Sequence, residues 1–520
     1  MNKHKKSLLM AALLACAGFA TAQVLWEGDV DANWSTDSAG NTNWAGDVIP
    51  GAADTAQFNN LGADRGTVVD ASFGGTIAQL NINNSTTTVT ETISLARSLT
   101  LANNNGLQYG STISNPEMFE LDLNGNSLIL GFNASSGVVY NLHGTYTMDT
   151  AGSTINSVRS QGTGDDDTVT LNFGSGSNLA DINVTANGTI SHDFNNGTAN
   201  ANKLTSINFG AGSTVDISNA STLTLLKRLR VDTGTINFEV NNSGTINVAA
   251  ASKLYVQFDN RKGDDNRLTH VNNLATGVIN LTGDLQLEPD ERGFTVIQNA
   301  GTFQVTGTGA TITGKPNSTS SGDLGDVAFT NQSGGIIRGS SAADTLNYNP
   351  TATAANINQT LTLTNQGILS PGDGHNGTGL ASVGTLSLTD INATFSGTDA
   401  TLRIDLGGLS GGEFDVLTLT NGQLTLDGDS KIELFYVNGF SAVENDSWTL
   451  LNYGSVVNTG FDLASALTVT GGSGLAGDAS NYSLTFDANS ATLTVIPEPG
   501  TLALVGIALA SLLFFRRRKA

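Results

Sequence analysis

Short runs of alternating aliphatic and polar residues, each closed within a residue or two by Asn or Gly, recur along almost the whole chain. No other feature constrains the fold as tightly. Thr76-Ile77-Ala78-Gln79-Leu80-Asn81-Ile82, Ser98-Leu99-Thr100-Leu101 and Ser127-Leu128-Ile129-Leu130 are early cases. Thr235-Ile236-Asn237-Phe238-Glu239-Val240, Thr245-Ile246-Asn247-Val248, Phe294-Thr295-Val296-Ile297 and Thr302-Phe303-Gln304-Val305 follow. A period of two puts Ile, Val, Leu and Phe on one side of an extended strand and Thr, Asn and Gln on the other. Asn and Gly supply the positive-φ positions that close such strands. Helix signals are almost absent between Gln23 and Val495.

The runs also repeat. Leu171-Asn172-Phe173-Gly174-Ser175-Gly176-Ser177 returns as Ile207-Asn208-Phe209-Gly210-Ala211-Gly212-Ser213. A looser frame, a polar residue, a Gly and then an aliphatic strand, recurs at Gly244, Gly277, Gly301, Gly334 and Gly367. A unit of this size cannot bury its apolar side alone, so units must stack around a shared core. A propeller would show a sharper period and more aromatics. The expected fold is all-β: a β-helix or solenoid body, with an elongated β-sandwich as the alternative. The chain is rich in Gly (61) and only 13% charged, yet 39% hydrophobic. That apolar share is well above what a disordered chain carries.

Residues 61–365 are read as solenoid repeats, 366–494 as a C-terminal β-repeat region and 23–60 as an N-terminal cap. The cap holds Trp26, Trp34 and Trp44, followed by Pro50, Asp54 and Phe58. Solenoids need atypical ends to cover the core, and large aromatics serve well. Stacking of the Trp rings on sugar is the functional alternative.

The two ends of the chain differ from its body. Lys3, Lys5 and Lys6 precede an apolar stretch from Leu8 to Phe19 and an A-x-A site at Ala20-Thr21-Ala22. Residues 1–22 therefore read as a secretory signal peptide with a signal helix, cut by signal peptidase before Gln23. Leu13-Leu14-Ala15-Cys16 offers a lipobox as a competing reading. Cys16 is the only cysteine. A body without it holds no disulfide, zinc-thiolate site or cysteine nucleophile.

At the other end, residues 495–520 contain Pro497-Glu498-Pro499, an apolar run from Thr501 to Phe515, and Arg516-Arg517-Arg518-Lys519. This tripartite tail resembles the PEP-CTERM sorting domain of Gram-negative bacteria. The resemblance implies an exosortase, a membrane cysteine protease that cuts near the Pro-Glu-Pro and releases or re-anchors the body. The apolar run is shorter than the ~20 residues of a usual transmembrane helix, but the basic residues can snorkel to extend its reach. Four cations beside the helix stay in the cytoplasm, which puts the body on the periplasmic side. An uncut single-pass anchor is the alternative.

A second resemblance covers parts of the body. Trp26-Glu27-Gly28, Asn33-Trp34-Ser35, Asn43-Trp44 and Pro50 look like the start of passengers with autotransporter-associated β-strand repeats. Gly367-Ile368-Leu369-Ser370-Pro371-Gly372, Leu402-Arg403-Ile404-Asp405-Leu406-Gly407 and Phe414-Asp415-Val416-Leu417 are similar to the later part of such passengers. The resemblance implies a β-helix displayed outside the cell. The chain departs from that family in ending on a basic tail where an outer-membrane barrel would stand.

Formal net charge is -23 for the whole chain. Lys3, Lys5, Lys6 and the four tail cations leave with the processed ends, which takes the body to -30. Such a surface excludes nucleic acid as a partner, since phosphate recognition needs clustered Lys and Arg. It suits solubility outside the cell and calcium uptake by acidic loops.

Catalytic signatures are thin. Gly408-Leu409-Ser410-Gly411-Gly412 fits G-x-S-x-G, but a nucleophile elbow needs a helix after the turn and both flanks here are β. Gly372-Asp373-Gly374-His375-Asn376-Gly377 fits G-x-G-x-x-G, again without the helix that holds a pyrophosphate. Asp165, Asp166 and Asp167, in Gly162-Thr163-Gly164-Asp165-Asp166-Asp167, form a calcium candidate, because adjacent carboxylates and turn carbonyls supply hard oxygens, and Gly263-Asp264-Asp265-Asn266 is a weaker echo. A solvated acidic loop is the alternative. His143, His192, His270 and His375 are scattered, and His192-Asp193 are strand neighbours that face opposite ways.

The chain is expected to be a non-catalytic surface or extracellular-matrix protein that an exosortase sorts, associated with exopolysaccharide in a biofilm or with other surface proteins. It would cross the inner membrane, sit there briefly through its C-terminal helix, and finish at the cell surface or outside. No cofactor other than calcium is expected. A glycan-binding adhesin is the second reading and predicts exposed aromatics. A polysaccharide lyase or hydrolase is the third and predicts a groove with paired carboxylates.

Overall fold

Each alternating run becomes one strand of a coil, and the coils stack so that every strand pairs with its counterpart one coil away. The computed structural model describes residues 22–59, 65–83, 90–104, 106–109, 118–132, 137–159, 168–194, 203–229, 236–260, 267–288, 294–314, 327–340, 343–350, 360–373, 383–471, 477–496 and 507–511. A single coil shows the plan: Lys203–Phe209, a tight corner, Thr214–Ile217, a second tight corner, then Thr222–Leu229. The next coil restarts at Ile236–Asn242. Three sheets result, all with parallel pairing through the stack. A parallel ladder between successive coils is what a solenoid requires and an antiparallel sandwich does not provide.

The first sheet has 14 strands, from Arg65–Val69 to Leu467–Thr470. The second runs from Thr76–Ile77 to Thr385–Thr389. The third is divided. Gln23–Leu25, Thr55–Asn59, Gln79–Asn83 and Leu107–Tyr109 form a separate four-stranded sheet. The ladder starts again at Val138–Leu142 and continues to Ile391–Phe395. The other two sheets pass this point unbroken: Phe119–Asp122 pairs with Gly144–Met148, and Ser127–Phe132 with Ser153–Arg159. The second and third sheets merge near the C-terminal end, where Val416–Asp427 and Ser447–Thr459 are long enough to serve both.

Burial follows the alternation. In Thr168–Phe173, Val169, Leu171 and Phe173 point into the core while Thr170 and Asn172 lie outside it. The sequence repeat around Phe173 and Phe209 is a register match: Leu171 pairs with Ile207, Asn172 with Asn208 and Phe173 with Phe209. The two rings stack at 5.7 Å.

One coil further on, the same inward column changes character. Asn242, Asn273, Asn299, Asn331 and Asn365 follow Phe209 in register, and Phe395 closes the series. These five Asn are buried and linked by their own amides. Asn242 Nδ2 donates to Asn273 Oδ1 at 2.8 Å, and the steps from Asn273 to Asn299, Asn299 to Asn331 and Asn331 to Asn365 are each 2.7 Å. The second N–H of each donor caps a backbone carbonyl, as Asn273 does at Thr302 and Asn299 at Ile336. A buried amide costs little when its donors and acceptor are matched in this way.

The recurring Gly frame lies beside this ladder. A Cβ on Gly277, Gly301 or Gly367 would overlap carbonyl oxygens of the coil before it, so only glycine fits the corner. In the coil where the sequence points to Gly334, the residue in that position is Gly335: its Cβ would strike Asn299 O, whereas Gly334 takes a positive φ in the turn with open space around it. Two consecutive glycines hide which one stacks.

Both ends of the stack are covered. Trp26, Trp34 and Trp44 are buried with Phe58 and Phe73 in one aromatic cluster, with ring centroids 4.9 to 5.8 Å apart. Two of the indole N–H groups are satisfied: Trp34 Nε1 donates to Thr67 Oγ1 at 3.2 Å and Trp44 Nε1 to Trp34 O at 2.9 Å. At the C-terminal end, Ser490–Val495 runs antiparallel between Ser447–Thr459 and Tyr482–Phe486. Trp448 is buried there and donates from Nε1 to Gly408 O at 2.8 Å. A strand that turns antiparallel ends the parallel ladder of the second sheet.

The signal helix read in residues 1–22 lies outside the described residues, apart from Ala22, whose carbonyl accepts a hydrogen bond from Thr55 N at 2.8 Å. Of the expected C-terminal helix, residues 507–511 are helical and exposed. Among the described residues no helix is long and apolar enough to cross a membrane.

Candidate functional site

The interruption of the third sheet opens a cavity of about 380 Å³ between Leu107–Tyr109 and Val138–Leu142. Leu107, Gln108, Tyr109, Val139, Tyr140, Asn141, His143 and Asn178 line it. His143 stands at a one-residue corner between Val138–Leu142 and Gly144–Met148. Gly144 permits that corner with φ 93, and a Cβ there would lie 2.6 Å from Phe119 O. The corner turns the His143 ring towards Tyr109, with centroids 4.7 Å apart.

Tyr109 is held from both sides. Its hydroxyl accepts from His143 N at 2.9 Å, donates to His143 O at 3.0 Å and lies 3.0 Å from the Tyr146 hydroxyl. Burial pushes the Tyr109 and Tyr146 hydroxyls above the usual phenol range, so both stay protonated. Tyr140 hydrogen-bonds Gly131 O at 3.0 Å. His143 is 4% exposed, and its Nδ1 has no hydrogen-bond partner among the described residues. Burial pushes the imidazole down to about 4, which keeps it neutral at physiological pH. Gln108, Val139 and Asn141 form an exposed rim. The floor is therefore rigid, aromatic and uncharged, and the rim carries two amides.

A second cavity, of about 290 Å³, lies on the outside of the first sheet, lined by Thr90, Glu120, Thr145, Asp181 and Asn183. Glu120 Oε1 accepts from Thr147 Oγ1 at 2.9 Å, and Asp181 Oδ1 accepts from Thr214 N at 3.1 Å. Both carboxylates are thus engaged by the neighbouring coils.

Two polar clusters lie inside the stack. Ser157, His192 and Lys227 occupy one inward column of the second sheet, in register. Ser157 Oγ and His192 Nδ1 are 2.6 Å apart. Lys227 Nζ donates to Asn237 O at 2.7 Å and lies 5.5 Å from the Phe258 ring centre. All three side chains are fully buried, so they pack the core rather than meet a substrate. The alternation itself contained this signal: counting by twos from Ile155, Ile190 and Leu225 leads inward to Ser157, His192 and Lys227. Asp193, next in sequence, faces out towards Arg228 at 3.7 Å. The opposed orientation of His192 and Asp193 expected from a strand is what the structure holds.

The second cluster pairs Asp405 with Asp415. Asp415 Oδ2 accepts from Asp405 N at 3.0 Å and Oδ1 from Gly384 N at 2.7 Å. Burial, and then the neighbouring Asp405 carboxylate, push Asp415 well above the usual carboxylate range. Alternation alone places Asp405 outside, after Arg403. The 407–415 hairpin folds back over it and buries it.

The motifs taken from the sequence are dispersed. Ser410 of the G-x-S-x-G match sits in an exposed turn, its N–H bound to Glu413 Oε2 at 2.9 Å, between strands Thr401–Leu406 and Val416–Asp427. The structure leads from it into a strand, as expected for a loop. His270 is half-buried on the outside of the third sheet. His375 and the calcium candidates Asp165, Asp166 and Asp167 lie outside the described residues, as do Ala20, Pro497, Glu498, Pro499, Thr501, Phe515, Arg516, Arg517, Arg518 and Lys519. Among the described residues, no three His, Cys, Asp or Glu side chains cluster as a metal site. The cavity at the sheet break was not visible in the sequence, because it depends on which strands fail to pair.

Residues 495–519 match the family described as the PEP-CTERM protein-sorting motif. The chain is accordingly an exported β-solenoid sorted by an exosortase and anchored transiently through its C-terminus. Curated proteins give no match.

Proposed function

We propose that the body is a non-catalytic rod at the cell surface or in the extracellular matrix, associated with exopolysaccharide. The observation behind this reading is the covered ends of the stack. An aromatic plug at one end and an antiparallel strand at the other enclose a continuous core, with a 14-stranded parallel sheet along its side. Such a body is stiff, and its polar side chains are largely spent on its own coils. On the outside, Asn172, Asn208, Asn241 and Asn272 repeat the inner ladder, each donating to the Asn of the coil before it at 2.7 to 2.9 Å.

The buried state of Trp26, Trp34 and Trp44 favours a cap over a row of sugar-stacking rings. Catalysis is not part of this reading, and calcium is retained only as a candidate ligand of Asp165, Asp166 and Asp167. The test is to incubate the purified chain with the polysaccharide of the producing cells. We expect co-sedimentation without new reducing ends or unsaturated uronates. Depolymerisation would replace the rod with an enzyme, and a chain that stays in the supernatant would remove the polysaccharide from the proposal.

A further inference from the structure

The break in the third sheet is confined to one face of one coil step, and it leaves a cavity that reaches buried aromatic side chains. We propose that this cavity is a binding site for a neutral saccharide, holding one stretch of a longer glycan. Four features point to that chemistry. First, no Asp, Glu, Lys or Arg lines it among the described residues. An ionic ligand would find no counter-charge there, and an anion would also face the net charge of -23. Second, His143 Nδ1 is a buried polar atom without a hydrogen-bond partner among the described residues. Such an atom is costly unless something meets it, and a sugar hydroxyl can donate to or accept from a neutral imidazole.

Third, Tyr109 offers a half-buried ring whose hydroxyl is fixed by the His143 backbone. A ring held in place can stack against the C–H face of a pyranose without losing further freedom. Fourth, the exposed rim amide of Gln108 supplies donors and an acceptor, as a polyol requires, and Asn141 Nδ2 adds a donor while its Oδ1 accepts from Asn172 Nδ2 at 2.8 Å. The volume, about 380 Å³, lies at the small end of ligand pockets and suits roughly one or two sugar rings. A peptide adding as a strand is less well served. Among the described residues Leu107–Tyr109 gives an edge of 3 residues, and Tyr109 already reaches across it to His143.

The assignment adds a contact to the matrix reading without resting on it, and the two fail in different experiments. Binding is measured on the purified full-length chain in detergent, by calorimetry, against a panel of neutral tetrasaccharides built from glucose, galactose, mannose or N-acetylglucosamine. Tetragalacturonate serves as the anionic probe. We expect at least one neutral tetrasaccharide to bind with a Kd on the order of 0.1–1 mM, and tetragalacturonate not to bind. Val139→Glu places a charge on the exposed rim, away from the core, and should weaken binding about tenfold or more. Gln108→Ala should weaken it by about threefold. His143→Phe should weaken it as well, and circular dichroism confirms that the coil stack persists in each variant. The proposal is overturned if no neutral probe binds at roughly 10 mM. It is overturned equally if tetragalacturonate alone binds, or if Val139→Glu and Gln108→Ala leave the affinity of a folded chain unchanged.

Discussion

The middle of the solenoid and the break near its N-terminal end are built from the same kind of strand, yet they treat polar atoms in opposite ways. Between Asn242 and Asn365 the coils stay in register, and each inward amide from Asn242 to Asn331 donates to the amide of the next coil. Asn273, Asn299 and Asn331 are satisfied from both directions. At the break, one strand pair is missing from an otherwise continuous stack, and His143 keeps an unmatched nitrogen at the cavity floor. Perfect stacking consumes a solenoid's hydrogen-bonding capacity in self-contact. A local failure of stacking leaves some of it free for a ligand. Function in such a fold is therefore best sought at irregularities of the ladder.

The contrast can be broken most severely in the middle. Asn299→Ala removes an amide from the centre of the ladder and leaves one N–H of Asn273 Nδ2, and Asn331 Oδ1, without partners in a buried site. A loss of about 2–4 kcal/mol is expected, read from urea unfolding with hydrogen exchange in the flanking coils. Gly301→Ala should cost about 1–3 kcal/mol in the same assay, since its Cβ meets the carbonyls of Gly277 and Leu274, which are backbone and cannot swing away.

The break responds to acid. Burial lowers the His143 imidazole from 6.5 to about 4, so between those values the unfolded chain binds a proton that the folded chain refuses. The stability contributed by the neutral ring is present above pH 6.5 and is lost as pH falls towards 4. A difference on the order of 2 kcal/mol between wild type and His143→Phe should open over that window, as seen in unfolding curves at several pH values. Parallel curves would show that His143 is not buried as described. The smallest effect belongs to the outer ladder. Asn241→Ala removes a part-buried link between Asn208 and Asn272 that water can replace, and should cost about 0.5–1 kcal/mol by the same measurement.

Much of this fold could be read from residues alone. The alternation fixed which side chains point inward, and the Phe173 and Phe209 repeat lay one coil apart in perfect register. The recurring glycines marked corners where the backbone of one coil touches the next. The same alternation also encoded Ser157, His192 and Lys227 as inward residues, although spacing alone could not show that consecutive coils bring them together. Asp405 was misplaced by alternation because its burial comes from the hairpin that folds over it. The cavity was illegible for a different reason. Leu107–Tyr109 and Val138–Leu142 each look like ordinary strands, and nothing local records that they do not pair with one another.

The central claim is that this solenoid is exported and sorted through its C-terminal motif, and processing leaves a chemical record of that route. The most direct measurement is the intact mass and both termini of the protein from fractionated cells, with an exosortase-deficient strain alongside. A surface-fraction body that begins near Gln23 and ends near Pro499, with Arg516 to Lys519 kept only in the membranes of the deficient strain, is the predicted result. A chain that retains Arg516 to Lys519 in the inner membrane of both strains would contradict the account.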